Sequence, residues 1–321
     1  MLKKATTRRR FLTTSTVSGI ALACSSTKAS AQVQSSAEQM PKLTPPPQPA
    51  ELNLCLQWMA IPGDEMNQKL DFLEAQGFGA VEILTNKWLF DNAEALAKAM
   101  KGRKLSVATA CGPSDFSYAE SAKREAEVDK FLPQIELLGM LRAVGLIICP
   151  ARKKIECGFL ELRDDFINNT GRRLAQHAAK HGTSIVLEPL NRSETPFLRQ
   201  VADGAMMAKD IGPGCTVMGD FWHMSKEETS FMGAFICAGK GLSHVHIAGL
   251  QERIIPGVHP AVDNYVEGFK GLKMIGYRGA VSFEGGWPKD PQDPKKSVPQ
   301  AEKTRLILNM VKILREQWAM A

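Results

Sequence analysis

Four residues in the second half of the chain carry side chains that hold metal ions, and they fall one strand apart. Glu188 lies in IVLEPL, Asp220 in CTVMGD, His246 in HVHIAG and Glu284 in VSFEGG. Each stands at or near the end of a short apolar run. A charge at the end of a buried strand needs a partner or an ion, because an isolated buried charge is costly. One such residue is a capping accident. Four in succession, all at the same strand end, would converge on one point. Three carboxylates and one imidazole suit a hard or borderline divalent cation, Mn2+ first, with Mg2+, Co2+ and Zn2+ as alternatives. The set contains no thiolate, which argues against a structural zinc site. The D-x-x-H of Asp220 and His223 reads, taken alone, as a helix cap followed by a surface histidine. In this company Asp220 reads as a ligand, and His223 lies just beyond it, where a substrate would sit.

The elements that must position these residues are visible as alternation. Strand candidates are LNLCLQW (52–58), AVEIL (80–84), LSVAT (105–109), AVGLIICP (143–150), SIVLEPL (184–190), CTVMGD (215–220), LSHVHIAG (242–249) and GAVSFEGG (279–286). They are rich in Val, Ile and Leu with little alternation, as parallel strands buried on both faces are. Between them lie amphipathic segments such as NQKLDFLEAQG, AEALAKAMKGR, EAEVDKFLPQIELLG and GRRLAQHAAKHG, several ending in a helix-stopping glycine. Eight such units in series predict a single (β/α)8 barrel of the α/β class, whose active sites form at the C-terminal strand ends. A doubly wound sheet is the alternative; no G-x-G-x-x-G follows the first strand.

LEPLNRSE (187–194), GDFWHMSKEE (219–228), HVHIAG (244–249), GYRG (276–279) and SFEGGW (282–287) together resemble the sugar phosphate isomerase/epimerase group of the xylose isomerase-like TIM barrels, which includes ketose 3-epimerases and hydroxypyruvate isomerases. The resemblance implies a divalent ion held by Glu188, Asp220, His246 and Glu284. It implies that Glu188 and Glu284 face opposite sides of the reacting carbon as an acid/base pair. It also implies substrate contacts from Glu194, His223 and Arg253. Arg253 stands seven residues past His246, where the epimerase pattern has six, and Pro256-Gly257 follows it. Hydroxypyruvate isomerases typically carry glutamine where His246 stands, so the chain mixes features of both branches.

The chemistry follows from the residue types. A divalent ion polarises a carbonyl, acidifies the adjacent C–H and stabilises an enediolate. One glutamate takes the proton. The other returns it to the opposite face, giving an epimer, or through the neighbouring carbon, giving an isomer; such groups contribute about 100- to 10,000-fold. The expected partner is a small ketose or hydroxy-keto acid, with a homo-oligomer compatible with this reading. Loss of a leaving group from the β-carbon would make the same parts a lyase or hydratase of keto-sugars or keto-glycosides. A DNA-repair nuclease on this barrel would need histidines on the second and third strands, and none occurs before His177. A non-catalytic sugar-binding barrel would have no reason to keep all four ligand types.

Other residues carry weaker signals. His244 shares the inward face of His246 on a regular strand, either touching the site from outside or packed in the core. His259 in GVHPAVDNY reaches the site or caps its loop. His177 and His181 fall on an outer helix. Trp58, Trp88, Trp222 and Trp287 follow strand ends, where aromatics wall sugar pockets or simply pack. Glu82 in AVEIL is a buried acid, supporting the site or closing an ion pair.

Residues 1–31, MLKKATTRRRFLTTSTVSGIALACSSTKASA, read as an export signal: a basic stretch, an apolar run and a small-residue cleavage site. Thr7-Arg8-Arg9-Arg10-Phe11-Leu12 fits the twin-arginine pattern, which predicts a periplasmic or extracellular protein exported already folded. A Sec signal is the alternative, and acylation at Cys24 fits a lipobox poorly. Residues 32–51 form a proline-rich linker, and 52–321 form the catalytic barrel. The signal holds six of the 40 basic residues and no acid, so 34 basic residues face 34 acidic ones in the remainder. That neutral balance gives no electrostatic reason to expect nucleic acid. No later run is long and apolar enough to cross a bilayer. Cys55, Cys111, Cys149, Cys157, Cys215 and Cys237 form no C-x-x-C pair and read as small core residues.

Overall fold

A computed structural model describes residues 48–112, 114–152, 154–290, 292–293 and 295–321. Residues 1–47, which hold the expected export signal and most of the expected linker, lie outside the described residues. The strands are β1 (Asn53–Gln57), β2 (Ala80–Leu84), β3 (Ser106–Cys111), β4 (Gly145–Ile148), β5 (Ser184–Leu187), β6 (Cys215–Asp220), β7 (Leu242–Ile247) and β8 (Ala280–Phe283). Every neighbouring pair is parallel, and β8 returns to pair with β1, closing the barrel. The expected (β/α)8 architecture is borne out.

Helices follow the strands on the outside: α1 (Met66–Ala75), α2 (Lys87–Met100), α3 (Ser121–Met140), α4 (Phe159–Asp165), α5 (Gly171–Lys180), α6 (Val201–Ile211), α7 (Phe221–Glu227), α8 (Phe231–Ala238), α9 (Val266–Met274) and α10 (Gln300–Met320). No described helix is long and apolar enough to cross a membrane. Alternate strand residues face opposite ways, so each strand feeds two packed layers. Leu54, Leu56, Val81, Leu146, Ile185, Leu187, Val217, Val245 and Val281 face the helices in one large core. Their neighbours form two small clusters inside the barrel, Cys55 with Ala80, Ala108 and Ala280, and Ile147 with Val186 and Met218. These apolar side chains fill part of the barrel interior, and the polar residues of the site share the rest.

Register decides what meets at the mouth. Between β6 and β7 the pairing shifts at Val217/Met218, which sets Met218 opposite His244 and Asp220 opposite His246. β1 and β2 pair Gln57 with Glu82. Several strands are shorter than their apolar runs suggest. Glu188 and Glu284 each lie one residue past the end of β5 and β8, where the backbone has begun to turn.

Candidate metal centre and active site

Asp220 closes β6 and caps α7 at once. Its Oδ1 accepts from the Trp222 N–H at 2.7 Å, while Oδ2 faces the barrel axis, 3.5 Å from His223 Nε2. The following Phe221 is fully buried among Phe231, Phe235, Tyr265 and Phe269, so the cap is pinned by packing. Asp220 is thus a helix cap that also turns one oxygen toward His223.

Ligand atoms of Glu188, Asp220, His246 and Glu284 all lie within 4.8 Å of one another. Glu188, Asp220 and His246 are buried, and Glu284 is partly open to the mouth. His246 Nδ1 stands 2.9 Å from Glu284 Oε2 and 3.8 Å from Glu188 Oε1. It is buried without a hydrogen bond, so the approach to Glu284 is close but misaligned. A carboxylate and an imidazole side by side at such a distance is an arrangement that a shared cation would accommodate.

Glu82 fixes which nitrogen is offered. Its Oε2 accepts from His246 Nε2–H at 2.8 Å, from His244 Nε2–H at 2.7 Å and from the Thr109 hydroxyl at 2.8 Å. Its Oε1 accepts from Gln57 Nε2 at 2.7 Å. A carboxylate on the far nitrogen holds the ring's orientation and turns the other nitrogen toward the ion, as the supports of metal-binding histidines do. Burial pushes the Glu82 carboxyl up, but the His246 and His244 imidazoles outweigh it and hold it well below the usual carboxylate range. The donor set and the unpartnered Nδ1 thus fit one divalent cation.

Charge at this point is dense. Arg253 Nη2 lies 2.8 Å from Asp220 Oδ2 and 2.5 Å from Glu284 Oε2. Burial raises the Asp220 carboxyl against the pull of Arg253 and His223. Burial also acts to raise Glu284, yet His246 and Arg253 carry it far below the ordinary range. For His246, burial is overcome by the Glu82 and Glu284 carboxylates, which lift the imidazole well above its usual value. Arg253 holds a left-handed φ of 52°; this turn brings its side chain back over the mouth, despite the extra residue before it.

His223 enters from α7. Its Nδ1 accepts from the Asn191 backbone N–H at 3.1 Å and lies 2.8 Å from Asn191 Nδ2. That leaves the proton on Nε2, which is buried, unpartnered and aimed at the site. Asn191 Nδ2 also donates to Glu194 Oε1 at 3.0 Å, and Arg253 Nη1 is 3.9 Å from the same oxygen. A cavity of about 180 Å³ opens here, lined by Glu188, Glu194, His223, Arg253 and Glu284, with Arg152, Leu190, Cys111, Gly112 and Cys149 on the facing wall. Gly112 is required there: a Cβ would stand 1.7 Å from the Thr85 hydroxyl.

A family model described as the xylose isomerase-like TIM barrel matches residues 70–307. The chain belongs to this family. Among curated relatives, it is 28% identical over 230 residues to the 3-dehydro-D-guloside 4-epimerase of Escherichia coli strain K12, covering 68% of this chain and 86% of the relative. It is 29% identical over 230 residues to the L-ribulose 3-epimerase of Methylomonas sp. strain DH-1, covering 69% and 78%. Two solved structures share the fold. D-psicose 3-epimerase with D-tagatose from Clostridium cellulolyticum H10 gives a TM-score of 0.71 at 20% identity, over 83% of this chain and 99% of that one. The 3-keto-D-glucoside 4-epimerase of E. coli, apo form, gives 0.68 at 24% identity, over 82% and 100%.

On this xylose isomerase-like frame, the sequence-chosen residues Glu188, Asp220, His246, Glu284, Glu194, His223 and Arg253 all border one site. His244 reaches Glu82 rather than the ligand point. His259 does not join: its Nε2 is 3.2 Å from exposed Glu252. The loop is instead tied by buried Asp263, which accepts from Leu250 and Gly257 N–H groups at 2.9 and 2.8 Å and leaves His259 facing outward. His177 lies on the outer helix α5, 3.1 Å from Glu136, and His181 caps the end of that helix with its ring against that of His177. The tryptophans pack elsewhere: Trp58 on Trp88 at 4.9 Å, and Trp287 on Phe283 at 5.8 Å. Trp222 lies under Lys226, 4.0 Å from its Nζ. Cys149 is buried and Cys111 packs against the inner cluster, as core residues do, and both also line the cavity. Cys149 Sγ donates to Glu188 Oε2 at 3.3 Å and Cys111 Sγ to Glu284 Oε1 at 3.7 Å. Burial first, then the neighbouring glutamates, push both thiols well up, so they stay protonated donors.

Proposed function

We propose that this chain is a divalent-metal-dependent sugar epimerase or isomerase, acting beside the carbonyl of a small ketose or keto-glycoside. The carrying observation is the convergence of Glu188, Asp220, His246 and Glu284 within 4.8 Å, with His246 Nδ1 unpartnered and its other nitrogen held by Glu82. The names of the relatives, 3-dehydro-D-guloside 4-epimerase and L-ribulose 3-epimerase, support this class and include a keto-glycoside among its substrates. The cavity of about 180 Å³ suits one sugar ring.

These four residues would hold the ion, with Mn2+ first and Mg2+, Co2+ or Zn2+ as alternatives. When bound, the ion supplies Lewis-acid polarisation of the substrate carbonyl. The protein does the rest. Glu188, following β5, and Glu284, following β8, approach from separate strands, so one removes a proton from the carbon beside the carbonyl and the other returns one. His223 donates through Nε2–H to a substrate oxygen, its ring fixed by Asn191. Glu194 and Arg253 bind hydroxyls at the mouth, and Arg253 also limits repulsion among the carboxylates. We also propose export by the twin-arginine route, supported by Arg8 and Arg9 in the leader. Manganese-soaked crystals test the centre. Anomalous density should lie roughly 2.0–2.2 Å from one atom of each of the four residues. Density at any other group, with none here, would end the metal reading.

A further inference from the structure

The three carboxylates of the cluster share one arrangement. Each turns one oxygen to the centre and has the other held by a donor. For Asp220 the donor is the Trp222 backbone N–H, at 2.7 Å on Oδ1. For Glu188 it is the Cys149 thiol, at 3.3 Å on Oε2, while Oε1 faces His246 and His223. For Glu284 it is the Cys111 thiol, at 3.7 Å on Oε1, while Oε2 faces His246 and Arg253. Hydrogen bonding to backbone makes Asp220 rigid. The two glutamates have only a weak thiol donor on the outer oxygen.

We propose that Cys149 and Cys111 are positioning residues for Glu188 and Glu284, holding each carboxylate plane so that its outer oxygen faces the substrate carbon and its inner oxygen faces the centre. Their placement is structural, not incidental. Cys111 is the last residue of β3, and Cys149 is one past β4, as Glu188 is one past β5. Ile148 of β4 pairs with Leu187 of β5, so the residues that follow them, Cys149 and Glu188, lie side by side at the same height. A thiol suits this task. It orients the carboxylate but leaves its oxygen basic, whereas a strong donor such as lysine would hold the charge and blunt proton transfer.

This inference rests on the sugar-epimerase reading for its kinetic consequence but not for its contact, and the test separates the two. Raman difference spectra between the wild type and Cys149→Ala, and between the wild type and Cys111→Ala, isolate each S–H stretching band in the metal-free protein. Each band should lie at the low-wavenumber, hydrogen-bonded edge of the protein's S–H envelope. The Cys149 band should move up in Glu188→Gln. In the manganese-loaded enzyme, Cys149→Ala should lower kcat for solvent-deuterium incorporation roughly fivefold to tenfold with KM nearly unchanged, the loss expected of one modest hydrogen bond. Cys149→Ser, which keeps a donor, should restore most of it. A Cys149 band at the free-thiol position would overturn the proposal. So would Cys149→Ala at wild-type kcat, or serine as impaired as alanine. If the wild type exchanges deuterium into no sugar, the functional reading falls, and the S–H bands still decide the contact.

Discussion

Glu82 is the residue that holds His246, the proposed histidine ligand. Three donors share its Oε2 and a fourth meets its Oε1, so it is saturated and free to do one thing, hold His246. Glu82→Gln keeps the shape but replaces a carboxylate that accepts from two imidazoles with a neutral amide. Mn2+ affinity measured by calorimetry should fall roughly 10- to 100-fold, with the thermal midpoint of the metal-free protein moving much less. Unchanged affinity would show that His246 needs no such support. The two glutamates proposed to move the proton make a different case. Glu188→Gln and Glu284→Gln retain an oxygen toward the centre and remove the base. Each should keep measurable Mn2+ binding and lose proton exchange at the substrate carbon by roughly 100-fold or more. Exchange near the wild-type rate in both variants would leave the metal site standing and remove the two-glutamate mechanism.

At the scale of elements, β2 and β6 occupy the segments AVEIL and CTVMGD that their apolar runs mark out. Helix α2 shows the limit of such reading. It begins at Lys87, six residues before AEALAKAMKGR, because Asn86 enters it at φ 59° with its N–H given to the Gln134 side chain at 2.7 Å. That partner is 48 residues away in sequence, and no local pattern announces it. The register shift at Val217/Met218 was hidden for the same reason: a bulge is a property of two strands. The ligand residues were legible because strand-end position and residue type coincide at them. Cys111 and Cys149 obey the same positional rule, yet their type suggests core, and Cys55 shows how good that suggestion is elsewhere. Asn191 was hidden inside LEPLNRSE, since its role appears only when α7 brings His223 against it. The turn from β6 into α7 is locked by Phe221. Removing that fully buried ring should cost about 3–5 kcal/mol and, by loosening the cap on Asp220, weaken Mn2+ binding as well. Urea unfolding of Phe221→Ala checks the first, and calorimetry the second. Wild-type metal affinity in a destabilised Phe221→Ala would show that the ligand is held independently of the packing behind it.

For the whole molecule, the closed barrel and its family were readable from eight alternating units and five short motifs, and both stand. The final stretch of the linker is seated on the barrel: the Glu51 N–H donates to Tyr277 O at 2.9 Å, and Arg278 Nη1 to Pro49 O at 3.0 Å. Residues 1–31, the proposed export signal, carry the basic excess of the chain, and their paired arginines set the next expectation. Arg8→Lys with Arg9→Lys should block export of the full-length precursor, seen as accumulation of uncleaved protein inside the cell. Undiminished export of that double variant would favour the Sec route. The proposed divalent centre at the barrel mouth would serve to move a proton beside a sugar carbonyl. Proton NMR in deuterium oxide tests it directly, using unphosphorylated ketoses and keto-glycosides with metal-stripped and Mn2+-restored protein. Deuterium should appear at the carbon adjacent to the carbonyl with restored protein and be absent there with stripped protein. Equal exchange in both states, or none in either across the panel, would contradict it.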